Sequence, residues 1–207
     1  MTTLTHTPSI TIRPVRADEI DTYFALTLLV DLHLPAHELP ALKNTLAAAL
    51  QAKSGPFSHG LNHFLLAETA DGTPVGAAHV GPAHWMLNQK IPARTQRTLT
   101  DRVSNIDTIA VHPDHRRQGI ATDILTRVET DFRRTGYRAL TLRHEHSKKH
   151  FFTAHGYTSL PRLAVDLPPT GLFIQHDPGW KHAVKLLDHT VTFTSQRGLT
   201  TVTGLLN

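Results

Sequence analysis

The segment Ile106–Gly136, IDTIAVHPDHRRQGIATDILTRVETDFRRTG, constrains the fold more than any other part of the chain. Ile106 to Val111 is a short apolar, β-branched run of the length a buried strand takes. Pro113 closes it, because proline has no N–H to give to a ladder. Arg116-Arg117-Gln118-Gly119-Ile120-Ala121 then makes a turn that opens straight into a helix. Ile120, Ile124, Leu125, Val128 and Phe132 recur at helical spacing and form one buried stripe. Gly136 stands where a left-handed C-terminal cap belongs. A strand, a small-residue turn and a helix start, in that order, present unpaired N–H groups and the positive end of a helix dipole, so the segment predicts an anion site.

Composition agrees with an anionic ligand and narrows the setting. Of 207 residues, 21 are Lys or Arg and 17 Asp or Glu, a formal charge of +4, which would also suit nucleic acid. The basic residues are scattered, however, with no run interleaved with aromatics, and that argues against nucleic acid. Sixteen histidines make the net charge climb steeply below about pH 6.5. There is no cysteine, which excludes disulfides, zinc–thiolate sites and thiol nucleophiles. No stretch approaches the ~20 apolar residues of a membrane span, and MTTLTHTPSITIRP lacks the layout of a signal peptide. The expectation is a soluble, cytoplasmic protein without a membrane partner.

Arg116-x-x-Gly119-x-Ala121, following a strand that ends Ala110-Val111-His112-Pro113, resembles the acyl-CoA signature of the GNAT superfamily of N-acetyltransferases. A second segment, His150-Phe151-Phe152-Thr153-Ala154-His155-Gly156-Tyr157, is similar to the family's "FY-x-x-x-GF" helix end. The resemblance covers residues 9–176 or so. It implies an α/β (α+β) fold with a mixed, mostly antiparallel twisted sheet flanked by helices, and acetyl-CoA as co-substrate. It further implies that the turn's N–H groups hold the pyrophosphate of coenzyme A, and that the acetyl group passes to an amine.

Acetyl transfer to an amine needs a held thioester, a polarised carbonyl and a deprotonated nitrogen. In the turn, Gly119 permits close backbone approach, Ala121 keeps bulk away, and Thr122 adds a hydroxyl. Arg116 and Arg117 are phosphate partners or solvated charges, and Gln118 and Ile120 complete the cofactor-side segment. The resemblance implies that Ile109, Ala110 and Val111 present backbone groups to the pantetheine arm, with an N–H as oxyanion donor. Asp107 shares strand parity with Ile109 and Val111, and many family members carry a carboxylate near this position to deprotonate the amine. Asp107 is therefore the candidate base, the alternative being a structural pairing with an arginine. Phe152 occupies the position where many members have the tyrosine that protonates the leaving thiolate, which phenylalanine cannot do. His150 and His155 flank it, and Tyr157 reads as packing. His144-Glu145-His146 and His150 do not form a recognised metal motif, so no metal is expected.

The rest of the chain follows from periodicity. Residues 1–8 are Thr-rich and read as frayed. Ser9–Val15 reads as a strand, Ala17 to Leu32 as a helix and Ala41–Ala52 as another. His63–Glu68 and Pro74–Val80 read as strands around the Asp71-Gly72 turn, with Gly81-Pro82 breaking or bulging the second. Trp85–Arg102 has no clean period and reads as a loop. Arg138–Arg143 is a strand, Ser147–His155 a helix and Leu163–Leu167 a strand, and Gly171–Gln175 completes the sheet. Pro178–Asp188 has helical spacing through Trp180, Val184 and Leu187, and 190–203 reads as a hairpin around Ser195–Gly198. One acyltransferase domain over 1–207 is expected, with a core of 9–176 and a helix-plus-hairpin extension over 177–207. That extension reads as a substrate cover, an edge extension or a homodimer contact. The function expected is transfer to a primary amine of a small molecule by direct attack in a ternary complex. The alternatives are a coenzyme-A-binding sensor with weak catalysis and a peptide or protein N-acetyltransferase. No recognisable specificity code marks residues 31–62 or 81–102.

Overall fold

A computed structural model describes residues 9–30, 32 and 34–207. The expected fraying of residues 1–8 lies outside that range. The described chain forms two compact units, one of residues up to 80 plus 108–127, the other of 81–107 plus 128–207.

The first unit opens with strand β1 (Thr11–Pro14), a 3-10 turn at Ala17–Glu19 and helix α1 (Ile20–Thr27). Helix α2 (Leu39–Leu50) follows, then strands β2 (His63–Glu68) and β3 (Pro74–Pro82). The helix expected as far as Leu32 stops at Thr27, and Leu28 beyond it is 41% exposed, so the apolar spacing there seals no core. β1 pairs antiparallel with β2, and β2 with β3 around the Asp71-Gly72 turn. Tyr23, Phe24 and Leu26 of α1 and Leu46 and Leu50 of α2 bury against Phe64, Leu66 and Ala77, which is why both helices show an apolar stripe. Arg13 ties this entry together through ion pairs with Glu19 and Glu68. Glu19 is held near a pKa of about 2, first by its hydrogen bond from the Arg13 guanidinium, against a smaller opposing effect of burial.

The second unit begins where β3 ends. Gly81 and Pro82 do not break that strand, which runs through Pro82. Residues 85–102, expected as a loop, hold two short helices, α3 (His84–Leu87) and α4 (Ala93–Thr100). Each buries a single side chain, Met86 and Leu99, too few to leave a legible period. Strand β4 (Val103–Val111) contributes its first half to this unit and its second half to the other. β5 (Ala139–His144) runs parallel to β4 from Val103↔Ala139 to Ile106↔Leu142. A 3-10 turn at His146–Lys148 leads into helix α6 (Lys149–Ala154), which Gly156 ends at φ +80°. β6 (Thr158–Leu160), β7 (Leu163–Leu167) and β8 (Gly171–Gln175) follow.

The C-terminal stretch departs most from expectation. Residues 181–186 are not a helix but strand β9 (Lys181–Leu186), hydrogen-bonded between β5 and β6 and antiparallel to both. His182, Ala183 and Val184 are all buried, so both faces are covered and the two-residue alternation that betrays a strand is lost. The Trp180, Val184, Leu187 spacing mimicked a helix by coincidence. The hairpin is present as β10 (Thr192–Gln196) and β11 (Leu199–Thr203). β11 runs parallel to β7, and β8 pairs with β7, so Gly171–Gln175 completes a separate four-stranded sheet. Leu163, Val165, Val184, Val202 and Leu205 close one core with Met86, Leu99 and Val103. No helix among the described residues is long and apolar enough to cross a membrane.

Candidate functional site

In the first unit, β4 hands the chain to the predicted anion turn. Gly76 of β3 packs closely beneath it. A Cβ there would lie 3.2 Å from the Ala110 carbonyl oxygen, 3.2 Å from Ile124 Cδ1 and 3.3 Å from Ala67 Cβ, so a larger residue would have to push these neighbours back by a few tenths of an ångström. His112 N–H donates to Val75 O at 2.8 Å and anchors the end of the strand. A 3-10 turn at Pro113–His115 follows, closed by His115 N–H to His112 O at 2.9 Å and Arg116 N–H to Pro113 O at 3.2 Å. The Arg116 side chain folds back, with Nε donating to Val111 O at 3.0 Å. Gln118 donates to Asp114 O at 3.3 Å.

Two residues of this turn are left-handed, Arg117 at φ +66° and Gly119 at φ +87°. Arg117 is a genuine outlier, since a side chain in that region costs roughly 1–2 kcal/mol, and such strain collects where a backbone shape is functional. Arg116 between the 3-10 turn and Arg117 is extended, at φ −70° and ψ 160°. Helix α5 (Ile120–Arg134) starts immediately, its first full bond running from Asp123 N–H to Gly119 O at 3.0 Å. The turn thus lies at the N-terminal, positive end of the helix dipole. Arg116, Arg117, Gln118 and Gly119 are exposed, Ala121 and Thr122 half-buried, and Ile120 buried as the first residue of the stripe. All ten residues expected on the cofactor side, 109–111 and 116–122, fall in this unit. Ala110 is buried, while Ile109 and Val111 are half-buried.

Asp107 and Phe152 belong to the second unit. Asp107 is exposed and accepts a hydrogen bond from Asn105 Nδ2 at 2.7 Å. Asn105 Oδ1 in turn accepts from the Thr141 hydroxyl at 2.9 Å, and Trp85 Nε1 donates to that hydroxyl at 3.4 Å. Nothing singled out Asn105 in the sequence, although its two-residue offset from Asp107 puts both on one strand face.

Phe152, half-buried on α6, is ringed by aromatics: His144 at 5.3 Å, Phe151 at 5.1 Å and Tyr157 at 5.8 Å between centroids. His144 is 3% exposed. Its Nδ1 lies 2.7 Å from Glu145 O and its Nε2 3.0 Å from Ser159 Oγ. A carbonyl only accepts, so Nδ1 carries the proton and Nε2 accepts from the serine. Burial lowers the pKa of His144, chiefly by desolvation, and the ring serves as a neutral pin between β5 and β6. Tyr157 is 3% exposed and its phenol is pushed far up, first by burial and then by the nearby Glu129. It packs and keeps its proton. His155 Nδ1 donates to Phe151 O at 2.7 Å, while His150 is exposed. No group of three or more metal-ligating side chains occurs among the described residues.

The family model described as "Acetyltransferase (GNAT) family" matches residues 28–157, which holds the whole anion turn and α6. Solved structures share the fold. The PaiA N-acetyltransferase of Thermoplasma acidophilum in complex with coenzyme A is 14% identical, with a TM-score of 0.56 over 86% of this chain and 99% of that one. The spermidine/spermine N-acetyltransferase SpeG of Vibrio cholerae is 12% identical, with a TM-score of 0.55 over 86% and 92%. A ribosomal-protein alanine N-acetyltransferase of Escherichia coli is 13% identical, with a TM-score of 0.55 over 92% and 99%. No curated protein sequence matches the chain. The family model spans well over half of the sequence, and the chain belongs to the GNAT family of acetyltransferases, as an acyltransferase.

Proposed function

We propose that this chain transfers the acetyl group of acetyl-CoA to a primary amine of a small molecule by direct attack in a ternary complex. The observation that carries the reading is the turn 116–122. Two left-handed residues and the start of a 15-residue helix there offer backbone N–H groups to an anion, as a pyrophosphate requires. Residues 109–111 would carry the pantetheine arm and supply the oxyanion donor.

In this reading Asp107 removes the ammonium proton, directly or through water. The freed nitrogen attacks the acetyl carbonyl carbon, the C–S bond breaks, and the thiolate of coenzyme A leaves. One of the two protons left on that nitrogen passes to the thiolate or to water, and the other stays in the amide. Phe152 sits at the position assigned to the acid and has no proton to give, so departure relies on the thiolate itself. A thiol pKa near ~8.5 makes that tolerable. Enzymes that share the fold include acetyltransferases of spermidine/spermine and of a ribosomal-protein alanine, and the amine panel therefore spans small amines and peptide N-termini. A coenzyme-A-binding sensor with weak catalysis is the second reading, and Phe152 is what favours it.

Titration with coenzyme A followed by a thiol-release assay over a panel of amines separates the two. Binding together with amine-dependent release supports the transferase. Binding without release on any amine supports the sensor, and absence of binding removes both.

A further inference from the structure

We propose that Asn105, Thr141 and Trp85 are positioning residues that hold the Asp107 carboxylate through a hydrogen-bond chain of fixed polarity. The proposal rests on the reading of Asp107 as the base. It concerns three side chains that touch neither acetyl group nor amine.

The polarity follows from what each group can do. An indole N–H only donates and a carboxylate only accepts. Trp85 Nε1 points at the Thr141 hydroxyl, the longest link at 3.4 Å, so that oxygen accepts there and sends its own single proton onward. The proton has two acceptors in reach, Asn105 Oδ1 at 2.9 Å and Ser104 O at 3.2 Å, and the amide is the nearer. Asn105 then turns its Nδ2 toward Asp107 Oδ1 at 2.7 Å. The opposite amide orientation would set Oδ1 against the carboxylate, two acceptors face to face. The assignment of amide oxygen and nitrogen is therefore fixed by chemistry at both ends.

The chain also runs from rigid to exposed. Thr141 is 3% exposed and is the register partner of Asn105 on the parallel β4–β5 ladder. Trp85 packs its ring against the core of the unit. Asn105 is half-buried, and Asp107 is exposed at the outer end, one residue past the last paired position. An exposed aspartate ordinarily samples several rotamers. This one has an oxygen tied to an amide whose own orientation is locked from beneath. The consequence is a carboxylate held in one direction.

The test reads Asp107 itself, in the full chain, so that it does not depend on knowing the acceptor. The χ1 rotamer populations of Asp107 are read by NMR from its three-bond couplings in the unsubstituted protein and in Asn105→Ala, Thr141→Val and Trp85→Phe. The expected result is one dominant rotamer in the unsubstituted protein and averaging over several in the variants, most for Asn105→Ala and least for Trp85→Phe, the most distant link. Asn105→Asp keeps the side-chain shape and should release the carboxylate as well, because two acceptors then face each other. Rotamer populations unmoved in both Asn105 variants, with the fold intact by circular dichroism, overturn the proposal. With acetyl-CoA and an amine accepted in the panel, Asn105→Ala should lower kcat by about tenfold, part of the 10²–10⁴ that acid–base assistance is worth. KM for acetyl-CoA should stay the same. The two failures are distinguishable. If Asp107→Asn leaves kcat unchanged while the Asn105 variants free the rotamer, the base assignment fails and the chain stands. If Asp107→Asn lowers kcat and the Asn105 variants alter nothing, the chain fails and the base stands.

Discussion

Gly119→Val is the sharpest perturbation of the anion turn, because the structure separates its two effects. Gly119 sits at φ +87°, and a Cβ built there meets no atom within 4 Å. The new Cβ therefore meets open space, and the cost to the fold is chiefly that of the left-handed backbone, about 1–2 kcal/mol. In a chain of this length that corresponds to a fall in Tm of roughly 2–8 °C. Its cost to binding is separate. A β-branched side chain at the mouth of the turn keeps phosphate oxygens from the N–H groups, and each charge-assisted hydrogen bond lost is worth about 1.5–3 kcal/mol. Losing one such bond weakens coenzyme A by more than tenfold. The matched control lies at the other end of the same helix: Gly136 has φ +84° and also meets nothing within 4 Å. Gly136→Val should lose similar stability and leave affinity within about twofold, there being no N–H group at a helix C-terminus for an anion to use. Calorimetric titration with coenzyme A and thermal melts of both variants make the comparison. Equal affinity in Gly119→Val and Gly136→Val, at equal loss of Tm, would remove the pyrophosphate site from residues 116–122.

Asp107→Asn should lower turnover with little change in acetyl-CoA affinity, most visibly at low pH where the amine is mostly protonated; an unaltered pH–rate profile would make Asp107 structural. Phe152→Tyr adds one hydroxyl and little volume, and should raise the rate if thiolate departure limits turnover, with acetyl-CoA binding unchanged. A drop in rate would show that this helix is misaligned with the family pattern. Glu19, held near a pKa of about 2 by Arg13, contributes stability that is fully present above its unfolded value near 4.5 and lost as pH falls toward 2. Glu19→Gln should thus be less stable at pH 7 and show a shallower loss of stability across that window, measured by urea unfolding at a series of pH values.

What was legible in the sequence was whatever a single local pattern controls. The 120–134 stripe, Gly136 as its cap and the strand before Pro113 could be read because one face of each is buried and its punctuation is strong. The turn between strand and helix could be read for the same reason, with Gly119 at positive φ, although the left-handed Arg117 could not, since arginine carries no signal for that conformation. Strand β9 was hidden by burial on both faces, and α3 and α4 by having one buried side chain each. Asn105 was hidden for a different reason. Its significance comes from Thr141, 36 positions away in the chain, and a partner at that separation leaves no local trace.

The most direct measurement of the central claim is a product balance. The protein is incubated with acetyl-CoA and each amine of the panel, and both the released thiol and the acetylated amine are quantified, with the intact protein weighed by mass spectrometry. Direct transfer predicts one acetylated amine per thiol and no acetyl group on the protein. Thiol release without acetylated amine, or an acetylated protein that forms first and then passes its acetyl group on, would contradict it.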